Sequence, residues 1–356
     1  MMREGILGQL AKPPQLKAGD RVATVSLSWG GPGAIPHRYE AGKAQFEKEF
    51  GLQVVEMKHT LRPAEWIAKN PRARADDLME AFTDPSIHGI ISTIGGDDSV
   101  RILPHIDLDV IRRNPKVFLG YSDTTVTHLA CLKAELATFY GPSIMAGFAE
   151  NCGMFPYMVQ SLRRTLFSAE TVGMVEPNRD GWTVQRLAWE DPANQLVRRQ
   201  LSPSAGWRFL QGRGRVAGRL IGGCADVLEF LKGTAWWPEP EVWDGAILFL
   251  ETSQVMPPPL FFRDWMRNYA TQGILQRLSA ILVGRPGGPT LPPEWVDEYD
   301  QGLLQVVRDE LGLESMPLVT RMDFGHTDPM FVLPYGAKAV VDADRQTFEI
   351  TEATVT

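Results

Sequence analysis

Cysteine is scarce in this chain of 356 residues. Cys131, Cys152 and Cys224 form an odd set without CxxC spacing, which excludes a disulfide framework and a thiolate zinc site and fits a reducing cytoplasm. Basic residues are in the minority, 36 against 43 acidic ones for a net charge of -7. A surface of that balance is not built to neutralise a nucleic-acid backbone, and neither DNA nor RNA is expected as a partner. No apolar run approaches the roughly 18 to 20 residues that span a bilayer. The N-terminal stretch reaches Pro13 and Pro14 before any sustained apolar segment, so neither membrane insertion nor secretion is expected. Internal repeats, heptads and low-complexity tracts are also missing. With 44% hydrophobic and 22% charged residues the composition is that of a globular protein, and at about 100 to 200 residues per domain the length points to two domains.

The first half alternates short apolar runs with amphipathic stretches. Arg21 to Ser26 reads as a buried strand ending in the Gly/Pro-rich Trp29 to Gly33, Tyr39 to Phe50 as a helix, and Leu52 to Glu56 as extended. A helix over Arg72 to Phe82 and a strand over Gly89 to Thr93 follow, then the break at Gly95-Gly96. The strand Lys116 to Gly120, the turn Tyr121 to Thr124 and the helix Thr125 to Leu136 continue the rhythm. Such alternation implies an open parallel sheet flanked by helices, which binds ligands beyond the carboxyl ends of its strands. Glu176 to Trp207, rich in Trp and Pro, reads as a connecting segment or long loop. From Gly212 onward the chain predicts helices near Ala225 to Leu231, Leu260 to Tyr269 and Val296 to Leu311, and strands over Ala246 to Leu250, Ala280 to Val283, Leu318 to Arg321 and Lys338 to Val341.

Three residues stand where chemistry is possible. Ser122 lies in Gly120-Tyr121-Ser122-Asp123-Thr124, between an apolar strand and a helix, where unpaired N–H groups and the helix dipole favour developing negative charge. The same Ser-Asp-Thr string also reads as an ordinary helix cap. Glu251 ends the apolar run Ile247 to Leu250; it is either a solvated strand end or a buried carboxylate in need of partners. His326 stands in the turn-rich Asp323-Phe324-Gly325-His326-Thr327-Asp328-Pro329, either aimed into a cleft or held as a structural histidine. One histidine between two acids is a poor transition-metal set, so no metal is expected from Asp323, His326 and Asp328. Gly95-Gly96-Asp97-Asp98-Ser99 lacks the spacing of a P-loop or of GxGxxG; a backbone donor facing Ser122 is the more economical reading.

Taken together, IISTIGGDDSVRILPHID, KVFLGYSDTT, LIGGCADVLEFLKGT, AILFLETS, AILVGRP and MDFGHTDPMFVLPYGAKA resemble, in order, the successive motifs of the LD-carboxypeptidase family of serine peptidases. The Trp-containing middle segment, Ser204 to Arg208 and Gly233 to Pro238 resemble more closely the microcin C immunity branch of that family. The resemblance implies an α/β fold: a Rossmann-like N-terminal domain with a parallel sheet (residues 1–165), a connecting segment (166–211) and a mixed C-terminal α/β domain with a barrel-like sheet (212–356). It further implies Ser122 as nucleophile, His326 as general base, Glu251 as the group orienting the imidazole, and the N–H groups of Gly96 and Asp123 as the oxyanion hole. No metal or organic cofactor is implied, and the expected assembly is a cytoplasmic homodimer.

In the microcin immunity branch a loop tryptophan stacks on the nucleoside of the substrate, and Trp189 is nearest by position, although a tryptophan there serves packing equally well. Gln254, Val255 and Pro257 to Pro259 stand after Glu251-Thr252-Ser253, where relatives carry an acidic pair. The substrate implied is an aminoacyl or peptidyl group joined by an amide-type bond to a nucleotide-like leaving group. Two alternatives remain: removal of D-alanine from murein tetrapeptides, and a binding protein that sequesters such conjugates without cleaving them.

Overall fold

Two runs of alternating strand and helix build the molecule, and the computed structural model describes residues 6–356. The first run contributes β1 (Arg21–Val25), β2 (Gln53–Glu56), β3 (Gly89–Ser92), β4 (Val117–Gly120) and β5 (Phe139–Tyr140). Both β3 and β4 are buried at every residue, the pattern of parallel strands covered on both faces. The helices Pro36–Phe50, Pro71–Thr83 and Thr125–Lys133 connect or flank them. The first two begin on a proline, whose missing N–H is harmless in the first turn.

The second run supplies β6 (Gly173–Val175), β7 (Arg208–Gln211), β8 (Arg215–Cys224), β9 (Ile247–Glu251), β10 (Ala280–Gly284), β11 (Leu318–Met322), β12 (Leu333–Pro334), β13 (Lys338–Asp342) and β14 (Thr347–Ile350). The first sheet has the order β12-β5-β4-β3-β1-β2, parallel except for β12, which pairs antiparallel with β5. Its direction of winding reverses between β1 and β3, the point beyond which open α/β sheets bind ligands at the carboxyl ends of their strands. Here the loops after the two strands touch, the Trp29 N–H donating to the Gly95 carbonyl at 3.1 Å. The second sheet runs β6-β14-β13-β8-β9-β10-β11-β7. Its centre, β8 to β11, is parallel, and its flanks are antiparallel.

Several pairings depart from the expected layout. Strands β6 and β7 come from the stretch read as a connection, yet they edge the second sheet. Strand β12 lies late in the chain but extends the first sheet, with Leu333 opposite Tyr140. The helix expected over Val296 to Leu311 is Pro293–Leu304, prolonged by a π-helical turn over Gln305–Glu310.

The two sheets share a core. Val126 and Leu129 of the Thr125–Lys133 helix belong to one buried cluster with Leu220, Ile221, Phe249 and Leu250 of the second sheet. A hydrogen bond of 3.1 Å from the Cys224 N–H to Thr125 Oγ1 ties them at the carboxyl end of β8. Among the described residues no helix is long and apolar enough to cross a membrane.

Candidate active site

Ser122 follows β4 in a tight elbow. Its φ is 62°, a left-handed value that an L residue adopts only at a cost and under constraint from its surroundings. The constraint is visible: the Ser122 N–H donates to the Tyr140 hydroxyl at 3.0 Å, and the Ser122 carbonyl accepts from Thr125 Oγ1 at 2.7 Å. The helix Thr125–Lys133 then carries the chain away, leaving Oγ at the rim of the first sheet.

Glu251, the last residue of β9, is fully buried. A charge in that position must be compensated by partners, and it has them. His326 Nδ1 lies 2.6 Å from Oε2, and the Tyr140 hydroxyl donates to Oε1 at 2.5 Å. The glycine of the Phe324-Gly325-His326 turn is required by contact: its φ is +93°, and a Cβ there would lie 2.6 Å from Glu251 Cβ and Cγ.

His326 completes the set from the loop after β11. Its Nε2 stands 3.0 Å from Ser122 Oγ, so Ser122, His326 and Glu251, with serine and histidine 204 positions apart along the chain and histidine and glutamate 75 apart, form one hydrogen-bonded row. The tautomer follows from the partners. An ionised carboxylate only accepts, so Nδ1 carries the proton and the Nε2 lone pair faces the serine. Burial opposes charging of the imidazole, but the Glu251 carboxylate, with Asp226 and Asp328 beyond it, outweighs burial and raises the His326 pKa. Burial likewise pushes Glu251 up. The His326 charge and hydrogen bonds from His326, Tyr140 and Cys224 more than reverse that, and the carboxyl sits below its ordinary value.

Gly95 and Gly96 lie beside the elbow: a Cβ on Gly95 would be 2.9 Å from Ser122 Oγ and 3.4 Å from the Asp123 nitrogen. Gly96 has φ +151°, and a Cβ there would run into Ser28 Oγ at 2.2 Å. This loop is fastened to the elbow by Ser99, whose N–H donates to Asp123 Oδ2 and whose hydroxyl donates to the Asp123 carbonyl, both at 2.8 Å. On the other side Arg74 holds Asp98 at 2.6 Å and the Leu27 carbonyl at 3.0 Å. The Gly95 and Asp123 backbones thus lie against Ser122 on a braced frame, with Gly96 next in the loop against Ser28.

Trp189 and His326 line a single cavity of about 90 Å³ with Arg38, Glu150, Arg199 and Asp328. The indole is not bare: the Arg38 guanidinium carbon lies 4.6 Å from the ring centroid and that of Arg186 5.8 Å. Burial pulls Arg38 down to about 10. Arg199 bonds Glu150 through two nitrogens and reaches Asp328 at 2.8 Å. Val184 is shared with a second cavity of about 460 Å³ that Trp182 and Arg285 also line.

The acids next to His326 do not gather round it as ligands. Asp323 is ion-paired with Arg285 at 3.0 Å and accepts from Trp207 Nε1 at 2.7 Å, and Asp328 is taken up by Arg199. Among the described residues the group of His, Cys, Asp and Glu whose ligand atoms lie within 4.8 Å of one another is Cys224, Glu251 and His326, in which the carboxylate and imidazole already bond each other.

Sequence reasoning named Ser99 within the Gly95-Gly96 loop but not its bonds to Asp123, and it had no access to Tyr140, Arg74 or the Arg199 network. Tyr140 left the clearest trace, a tyrosine ending a short strand before Gly141-Pro142, where a buried phenol must find partners.

The architecture matches known proteins throughout. Residues 22–141 match the LD-carboxypeptidase N-terminal domain and residues 217–341 the LD-carboxypeptidase C-terminal domain. An inferred carboxypeptidase of Vibrio cholerae is 30% identical over 95% of this chain and 96% of its own. The microcin C7 self-immunity protein MccF of Escherichia coli is 29% identical over 96% of each. MccF in complex with glutamyl sulfamoyl guanosine superposes with TM-score 0.82 at 27% identity, covering 97% of this chain and 99% of that one. An MccF-like protein of Streptococcus pneumoniae bound to AMP gives TM-score 0.84 at 29% identity, over 94% and 99%. With both domains matched in order and relatives aligned along almost its whole length, the chain belongs to the LD-carboxypeptidase family of peptidases.

Proposed function

We propose that the protein is a serine hydrolase with a Ser122-His326-Glu251 triad, and the observation that carries this reading is the continuous hydrogen-bond row from Ser122 Oγ through both imidazole nitrogens to Glu251. In this mechanism His326 Nε2 takes the Ser122 proton as Oγ attacks the scissile carbonyl. Glu251 holds the tautomer and stabilises the imidazolium. The N–H groups of Gly96 and Asp123 receive the developing oxyanion, each donor contributing about 3 kcal/mol to lowering the barrier. Protonated His326 then gives its proton to the leaving nitrogen, and a water activated by the same imidazole releases the acyl group.

For the substrate, the reading favoured here is an aminoacyl or peptidyl group joined through an amide-type bond to a nucleotide-like leaving group. It is supported by the likeness to MccF and by the pair of adjoining cavities, which provide room and aromatic walls for a nucleoside. Trp189 is the stacking residue in this reading, with Arg38 yielding its face to the base. The homodimer and cytoplasmic setting implied by the resemblance belong to the same proposal. Removal of D-alanine from murein tetrapeptides is the second reading, favoured by the matched family domains themselves. Incubation with an aminoacyl sulfamoyl adenosine and with a murein tetrapeptide, followed by mass spectrometry, separates them: the first is expected to be turned over, and cleavage of the tetrapeptide alone would overturn the preference.

A further inference from the structure

Tyr140 joins the two ends of the candidate triad through one oxygen. Its hydroxyl accepts from the Ser122 N–H at 3.0 Å and donates to Glu251 Oε1 at 2.5 Å. The direction of both bonds is forced, because a backbone N–H only donates, an ionised carboxylate only accepts, and a phenol has a single proton. The side chain cannot drift, since the residue is 1% exposed and its ring packs against Phe249, His128 and Tyr121 at centroid distances of 5.5, 5.6 and 6.5 Å.

Resting on the serine-hydrolase reading, we propose that Tyr140 is a positioning residue that sets the serine elbow and the carboxylate in register, so that His326 meets both partners at once. Two consequences follow from the geometry. Ser122 keeps its left-handed backbone because its N–H has a fixed acceptor outside the helix that follows. Glu251 presents Oε2 to the imidazole because Oε1 is already bound. A packing tyrosine would do neither, and phenylalanine would replace it at no cost to the chemistry.

The test is Tyr140→Phe, read by the rate at which a fluorophosphonate probe labels Ser122 as a function of pH. Loss of one charge-assisted bond predicts labelling slowed about 10- to 100-fold. The acid limb should also move to higher pH, since the Glu251-His326 pair binds its proton more tightly once the phenol no longer stabilises the carboxylate. The groups facing His326 on the other elements, Asp226 and Asp328, are unchanged in the variant, so the shift reports on Tyr140. A fluorinated tyrosine at position 140, a stronger donor with the same ring, should restore the rate and move the limb to lower pH. It keeps the test decisive if the phenylalanine variant folds poorly. A Tyr140→Phe protein labelled at the unmodified rate with an unmoved limb would overturn the inference while leaving the triad intact. Failure of the unmodified protein to label at all would overturn the hydrolase reading and this inference with it.

Discussion

Glu251 Oε2 and His326 Nδ1 lie 2.6 Å apart with the carboxylate wholly buried and the imidazole 7% exposed. A carboxylate so placed has no solvent to rely on, and its charge persists because the imidazole and the Tyr140 hydroxyl each bind one oxygen. Glu251→Gln retains the shape but removes the charge, and its amide presents a donor as readily as an acceptor. Activity is expected to fall about 10³- to 10⁴-fold with the fold retained. Steady-state rates alongside circular dichroism check this, and a loss below tenfold would contradict it.

The raised His326 pKa fixes the sign of the pH response. In the proposed mechanism His326 must be neutral to accept the serine proton, so activity is expected to fall as pH drops, with a midpoint above the ordinary histidine value of about 6.5. For stability, the contribution of raised His326 is complete below its unfolded value and is lost as pH rises through its folded value. Lowered Glu251 contributes above its unfolded value and loses that contribution as pH falls through its folded one. Titration of the His326 ring by NMR in Ser122→Ala measures the shift directly. A midpoint below 6.5 would contradict the account.

Gly96→Ala places a methyl group against Ser28 Oγ and demands a strained backbone. The loop must move, and with it the N–H proposed to receive the oxyanion. Turnover is expected to drop about 10²- to 10³-fold, and the clash with the strained backbone to lower stability by about 1–3 kcal/mol. Equal losses of binding and of turnover would point away from an oxyanion donor.

Arg199 is 12% exposed and holds Glu150, which is 2% exposed, together with Asp328. Arg199→Ala leaves two carboxylates facing each other beside Arg38. Breaking a buried pair from one side costs about 3–5 kcal/mol, and the expected loss lies toward the lower end because Arg38 remains close. Denaturant unfolding measures it; a loss under about 0.5 kcal/mol, the size typical of a surface substitution, would show the network to be dispensable.

Much of the site was legible because its carriers obey local rules. The apolar run Val117–Gly120 followed by Ser-Asp-Thr marks a strand entering a helix, and Ile247–Glu251 announces a strand whose last residue is an acid. What escaped is long-range. Strand β8 was hidden by Gly218, Gly222 and Gly223 within its ten residues; glycine lowers strand propensity. Here close packing demands it, for a Cβ on Gly222 would lie 1.7 Å from the Phe249 carbonyl oxygen. Strand β12 has only two residues, and its place depends on the partner β5, almost two hundred residues earlier. Tyr140 has no motif of its own, because its role depends on two partners, one of which lies 111 residues away.

The most direct measurement is the intact mass and peptide map of the protein after exposure to a fluorophosphonate, run beside Ser122→Ala. One adduct per chain is predicted, on the peptide containing Ser122, together with none in the alanine variant. An adduct on a different residue, or equal labelling of both proteins, would contradict the claim that Ser122 is the nucleophile.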